Sequence, residues 1–462
     1  MRPRAALAAL ALWGRLGFAQ EEGHAAALGQ LEGRPAASEA SPLQRRIDAA
    51  PAGATLVVDS GAYEGDLLID KPLHLVGRGR PRLLGSCRGS VVRIRASHVS
   101  LEGFDIDGRS GGDLGRDSSG VHVSGSDAIV RDCRIEGALF GVYLREAHRS
   151  RVVGCSVRGI PGKDPGEKGS GIHAWDTTGF AFERNEIADV RDGFYIQSSS
   201  GGVIRGNQAR DLRYGIHYMF SDDNLFEDNL FANGAAGAAL MYSRRIVFRR
   251  NQFLRNRGFA SVGLLLKACD DVLAEDNLIA DNARGVFLEG SYRNLFRRNA
   301  IAGSDVAVVL YDLSGGHRFL GNSFVGNKSP LDLVPRRTDT VFLGNYWSGN
   351  DEPDLDGDGR SDRPYRLASI FDHFRGNLVA ADLLSDSFAA AAIGAAERAF
   401  PVLRPVPVED ASPLARPPVL ADVPVPARAE TGASPLGIAA SLALALAGAV
   451  VLSRGRRASA TR

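Results

Sequence analysis

Asparagine returns at near-constant spacing through the middle of the chain. It stands at Asn185, Asn207, Asn229, Asn251, Asn277, Asn299, Asn322 and Asn345, at steps of 22, 22, 22, 26, 22, 23 and 23 residues. Cys133 and Cys155, also 22 apart, extend the column backwards. Each Asn sits in a like phrase, such as FAFERNEIADV, NLFEDNLFANG or IVFRRNQFLRN. A short alternating run leads to the Asn, then come two or three apolar residues and a polar turn. The unit is too short for a propeller blade and lacks the leucine framework of a leucine-rich repeat. It fits one coil of an all-β, right-handed, single-stranded parallel β-helix, with coils stacked about 4.8 Å apart. Asn side chains at the same turn of successive coils then bond along the axis. Such a solenoid buries one continuous core and needs caps at its ends. Pro42 to Ala50 predicts a short amphipathic helix with Leu43 and Ile47 inward, leading into a first strand from Thr55 to Asp59.

Aligning the strand that opens each coil gives four columns. They run from Val121-His122-Val123-Ser124 through Ile172-His173-Ala174-Trp175 and Ile216-His217-Tyr218-Met219 to Ala238-Ala239-Leu240-Met241 and Val286-Phe287-Leu288-Glu289. Columns one and three are apolar and predict the core; Tyr218 alone sits awkwardly there. Columns two and four then face outward, because side chains alternate along a strand. The outward face carries His122, His173, His217, Met219 and Met241, interleaved with Tyr143, Trp175 and Tyr195. Coils that break the period place their extra residues just before this strand, at 109–120, 161–169 and 256–263. Insertions gathered on one corner of a solenoid wall a binding face.

The rest of the chain suggests export and attachment. Residues 1–19 resemble a secretory signal, with Arg2 and Arg4 before an apolar run. A linker follows at 20–40, the N-terminal cap at 41–66 and the β-helix at 67–350. An Asp-rich loop spans 351–365, and a C-terminal cap or docking helix spans 366–410. A Pro-rich linker at 411–434 leads to an uncharged apolar segment at 435–453, which predicts a C-terminal transmembrane helix. Arginines in the tail, 454–462, would hold that tail in the cytoplasm. The expected location is therefore periplasmic, anchored to the cytoplasmic membrane by that helix. The four cysteines show no CxxC metal spacing. With 55 Lys+Arg against 54 Asp+Glu the chain is near neutral, which argues against a nucleic-acid partner.

Only two methionines follow the initiator, and both fall in column four on adjacent coils. Thioethers and imidazoles suit Cu(I), whereas Ca²⁺ and Mg²⁺ take oxygen ligands. His217, Met219 and Met241, with His173, are therefore the candidate soft-metal or partner-docking patch, expected to be exposed. The fold alone also admits an extracytoplasmic polysaccharide-binding or polysaccharide-modifying enzyme (a lyase, epimerase or hydrolase). Glycoside hydrolysis needs paired carboxylates, however, and this face offers few. In DLDGDGRSD, Asp354, Asp356, Asp358 and Asp362 take positions 1, 3, 5 and 9 of a calcium-loop spacing, with Gly359 at 6. Position 12 holds Tyr365 instead of an acid. These carboxylates are the candidate structural Ca²⁺ site.

Several phrases carry a family likeness: YGIHYMFSDDN, ALMYSRR and GLLLKACDD, followed by NYWSGNDEPDLDGDGRSDRPY. Together they resemble the NosD family of nitrous oxide reductase maturation proteins, from the cap near residue 41 to AERAFPVLRPVPVEDASPL. The resemblance implies a non-enzymatic accessory protein outside the cytoplasmic membrane. It implies four partners: an ABC transporter permease with its cytoplasmic ATPase, a copper chaperone, and nitrous oxide reductase itself. The task implied is delivery of copper, sulfur or both to the copper–sulfur centre of that reductase, with copper as a transient cargo.

Overall fold

The computed structural model describes residues 41–111, 118–258, 260–334, 338–367, 387–399 and 408–418. Three strands per turn stack into three sheets, and every third strand in the chain pairs with the next in parallel. In the first sheet thirteen such strands follow one another from Thr55–Asp59 to Val341–Leu343. The chain is a right-handed parallel β-solenoid with short helical caps.

The Asn column is the ladder that its spacing predicts. Asn207 donates from its backbone and from Nδ2 to Asn229 Oδ1, both at 2.9 Å, and Nδ2 also donates to the Phe182 carbonyl at 2.9 Å. Its own Oδ1 takes the same two bonds from Asn185. No polar atom of the amide is wasted, so each ladder Asn can be fully buried. Replacing one with Ala would orphan a buried backbone N–H at a cost of about 1–3 kcal/mol. The ladder has an acidic end. Asp410, fully buried, accepts from Asn345 Nδ2 (2.9 Å), the Asn345 N–H (2.8 Å) and Trp347 Nε1 (3.1 Å).

Columns one and three line the core as expected. Tyr218 is fully buried there because its hydroxyl is satisfied: it donates to the Ser221 carbonyl and accepts from Asn224. A glycine precedes column one on coil after coil. A Cβ on Gly215 would stand 2.4 Å from the Gly237 carbonyl, and one on Gly237 would stand 2.6 Å from that of Gly263. The coils approach too closely there for any other residue. Ser41 caps the helix Pro42–Ala49, which turns Leu43 and Ile47 onto the first coil and plugs the solenoid. Lys71 Nζ donates to the Asp48 carbonyl behind it.

The expected C-terminal transmembrane helix is not part of this fold. Among the described residues no helix is long and apolar enough to cross a membrane. The helices Pro42–Ala49 and Phe388–Ala399 have 8 and 12 residues. They rise about 12 and 18 Å, short of the ~30 Å of bilayer hydrocarbon. The expected membrane partner and the location tied to a C-terminal anchor are corrected with it. Segment 435–453, on which that expectation rested, lies outside the described residues, as do 1–40 and 454–462. The Pro-rich stretch begins inside the cap: Leu414 donates to the Asn345 carbonyl and Ala415 to that of Gly359.

Candidate functional site

The third sheet carries the longest strands, and its outward face holds the candidate residues. Column two is a continuous stack of rings. Centroids run 5.2 Å from His122 to Tyr143, 4.4 Å to His173, 4.3 Å to Tyr195 and 4.7 Å to His217. Imidazole and phenol alternate, one ring per coil. Contacts of this kind favour offset and edge-on geometry, and the stack is dense enough to bury Tyr143, His173 and Tyr195 although they face away from the core.

The strand Tyr214–Met219 pairs with Ala236–Arg244 so that Met219 stands opposite Met241 and His217 opposite Ala239. The two thioethers therefore start from Cα atoms about 4.8 Å apart, with His217 two positions away on the same side. The patch is recessed. Met219 is 7% exposed, although it belongs to none of the core clusters. Its register neighbours on the coils to either side are Gln197 and Met241. His173 is not brought to this patch. It lies two coils away, between Tyr143 and Tyr195.

Beneath His217 lies an acidic group that the column reading did not include. Asp192, fully buried, stands two positions before Phe194, which opens the core column on its coil. Its carboxylate accepts from Arg213 Nε and Nη2 at 2.9 and 2.6 Å and from Arg191 Nε at 3.2 Å. His217 Nδ1 lies 3.3 Å from the same oxygen. Burial alone would push the Asp192 carboxyl up, but Arg213 and His217 hold it well below the usual carboxylate range. Arg213 also caps the Tyr214 ring at 4.3 Å. Arg213 Nη2 lies 3.3 Å from the same His217 Nδ1, so the imidazole is held on that nitrogen by a carboxylate, which only accepts, and a guanidinium, which only donates.

Beyond Met241 the face changes again. Lys267 pairs with Glu289 at 3.1 Å in column four, and Ala236, Ala239, Val262, Phe287, Val306 and Val309 form a separate apolar cluster. All four cysteines are free thiols, three of them buried. Burial pushes the Cys269 thiol up to about 12, which leaves it protonated and a poor ligand.

The Asp-rich loop gathers three of its four predicted residues. Ligand oxygens of Asp354, Asp356 and Asp358 lie within 4.8 Å of one another and could hold a metal ion. Asp354 accepts from the N–H groups of Gly357 and Gly359 at 2.8 and 3.0 Å. Asp362 instead accepts from the Leu355 N–H at 2.6 Å and closes the loop. Tyr365, at the twelfth position, pairs antiparallel with Asp410 in the cap.

Comparison with known proteins bears on the fold and on the sequence as a whole. Solved structures share the fold: the A-module of the Azotobacter vinelandii mannuronan C-5 epimerase AlgE4 matches with a TM-score of 0.53 at 16% identity, covering 64% of this chain and 94% of that one. The sequence itself is similar to the probable ABC transporter binding protein NosD of Stutzerimonas stutzeri, 28% identical over 77% of this chain and 85% of that one. The protein of the same name from Pseudomonas aeruginosa is 28% identical over 78% and 87%. Residues 156–352 match the family described as periplasmic copper-binding protein (NosD). The chain is a homologue of the NosD proteins.

Proposed function

We propose that this protein is a NosD-type accessory factor for nitrous oxide reductase maturation. It works with an ABC transporter and a copper chaperone to deliver copper, sulfur or both to the copper–sulfur centre of the reductase. The names of its relatives support the transporter and the copper. The register that sets Met219 against Met241 beside His217 carries the reading at residue level. In it, Met219 Sδ, Met241 Sδ and His217 Nε2 receive a Cu(I) ion as cargo. Two thioethers and one imidazole suit a soft monovalent ion, and neutral donors hold it loosely enough to pass on. Asp192 and Arg213 hold the imidazole at Nδ1 and leave Nε2 for the ion, and the tyrosine rings exclude water. His173 belongs to the ring stack that supports the patch, not to the ligand set.

The test is maturation in cells. Met219→Leu with Met241→Leu conserves volume and apolarity. The variant protein should accumulate normally while the reductase loses most of its copper. A full copper complement in the reductase would remove the patch from the pathway. The Asp-rich loop, in the same reading, holds Ca²⁺ as a clamp on the C-terminal cap, because its ligands are hard carboxylates.

A further inference from the structure

Each patch methionine is followed by an aromatic residue: Phe220 after Met219 and Tyr242 after Met241. Both take left-handed backbone, with φ of 49° and 54°. That corner is left-handed on coil after coil, and Glu146, Asp176, Ser198, Ala268 and Gly290 fill it elsewhere. Left-handed backbone favours glycine and short polar residues and penalises bulky ones. The two rings gain no core contact in return. They are 46% and 43% exposed, lie outside every core cluster, and stack on each other with centroids 5.1 Å apart and planes 10° from parallel. Strain and exposed apolar area at one spot mark a site of use rather than of stability.

The surroundings narrow the occupant. Arg244 and Arg245 pair with Asp222 and Asp223 across the coils, at 3.0 and 2.6 Å. The rim is therefore neutral as a set and does not steer a charged partner from a distance. Two half-exposed rings present roughly 200 Å², against the ~800 Å² per partner of a stable complex. That is the centre of a transient contact, not a permanent second copy. We propose that Phe220 and Tyr242 are the docking anchor for the protein that brings the soft cation to Met219 and Met241. The partner is a copper chaperone with an apolar, uncharged rim around its own metal. This rests on the cargo-site reading of His217, Met219 and Met241, and names the surface through which that site is loaded.

Phe220→Asn with Tyr242→Asn removes both rings and installs a residue that tolerates left-handed backbone. Three quantities are measured on the full-length protein. Melting temperature should hold or rise. Affinity for Cu(I) alone, by competition with a chromophoric chelator, should be unchanged. Affinity for the purified copper chaperone, with and without Cu(I), should fall roughly tenfold or more, as for a buried aromatic anchor. A drop of several degrees in melting temperature would make the rings structural and overturn the proposal. Chaperone binding that survives the substitution, or that is absent from the wild type, overturns it too. So does a ring-dependent dimer in sedimentation, which would make the occupant a second copy. Failure of the wild type to hold Cu(I) alone would instead strike the cargo-site reading, and leaves the docking result to be read separately.

Discussion

The outer faces of the first and third sheets are built on the same coils, over the same core, and have opposite chemistry. On the first sheet, cation and anion alternate up the column. Arg151 pairs with Glu183 at 2.7 Å, Arg205 with Glu227 at 2.8 Å, Arg249 with Glu275 at 2.7 Å and Arg297 with Glu275 at 2.5 Å. The turns repeat the pattern, with Arg245 on Asp223, Arg250 on Asp228 and Arg298 on Asp276. From Glu183 to Arg297 the charges are answered by neighbouring coils, so this stretch of the face carries little net charge. On the third sheet the same spacing stacks imidazoles, phenols and thioethers. A fully buried carboxylate there, Asp192, lies against an imidazole at the edge of the patch. Inward columns decide the solenoid; outward columns decide whether a face is sealed or useful.

The sharpest way to break this contrast is to neutralise one acid on each face. Asp192→Asn leaves Arg213 and Arg191 around a buried amide and should cost about 3–5 kcal/mol in urea unfolding. Asp228→Asn, on the exposed pair with Arg250, should cost less than about 1 kcal/mol. Equal losses would show that the third-sheet acid is ordinary surface charge.

A smaller effect is expected on acidification. Burial holds the pKa of His122 and His317 down at about 4, against 6.5 unfolded. Both folded values are depressed, so the unfolded chain binds protons first as pH falls. Their contribution is complete above about 6.5 and is lost between 6.5 and 4, at roughly 3 kcal/mol for each residue. His317→Gln should flatten that slope in a pH series of melting curves; an unchanged slope would place the titration elsewhere.

The smallest effect belongs to the Asp-rich loop. A cation bound only by the native state adds stability with the logarithm of its concentration. Chelation should lower the melting temperature of the wild type by a few degrees and leave Asp356→Ala with Asp358→Ala unmoved. Equal responses would reduce the loop to a turn.

Much of this was legible in the sequence. The 22-residue Asn spacing gives the coil, the inward columns and the pairing of Met219 with Met241, because a solenoid turns sequence period into vertical neighbours. Asp192 was not read, since it lies 25 residues from His217, one coil plus three positions, in a column before the glycine that the four-column alignment left out. A longer alignment would have found it. The recess around Met219 was not legible either: alternation tells which way a side chain points, not how tightly its surroundings pack. Asp410, 65 residues beyond Asn345, caps the ladder across a break in the repeat, where no period guides the eye. The left-handed corner under Phe220 and Tyr242 is a backbone property that residue type argues against.

The most direct test of the central claim is X-ray absorption on the purified full-length protein loaded with one equivalent of Cu(I). The account predicts a mixed sulfur and nitrogen first shell. Met219→Leu with Met241→Leu should remove the sulfur, and His217→Gln should remove the imidazole signature. A first shell of oxygen and nitrogen alone, or one that the methionine variant leaves unchanged, would contradict it.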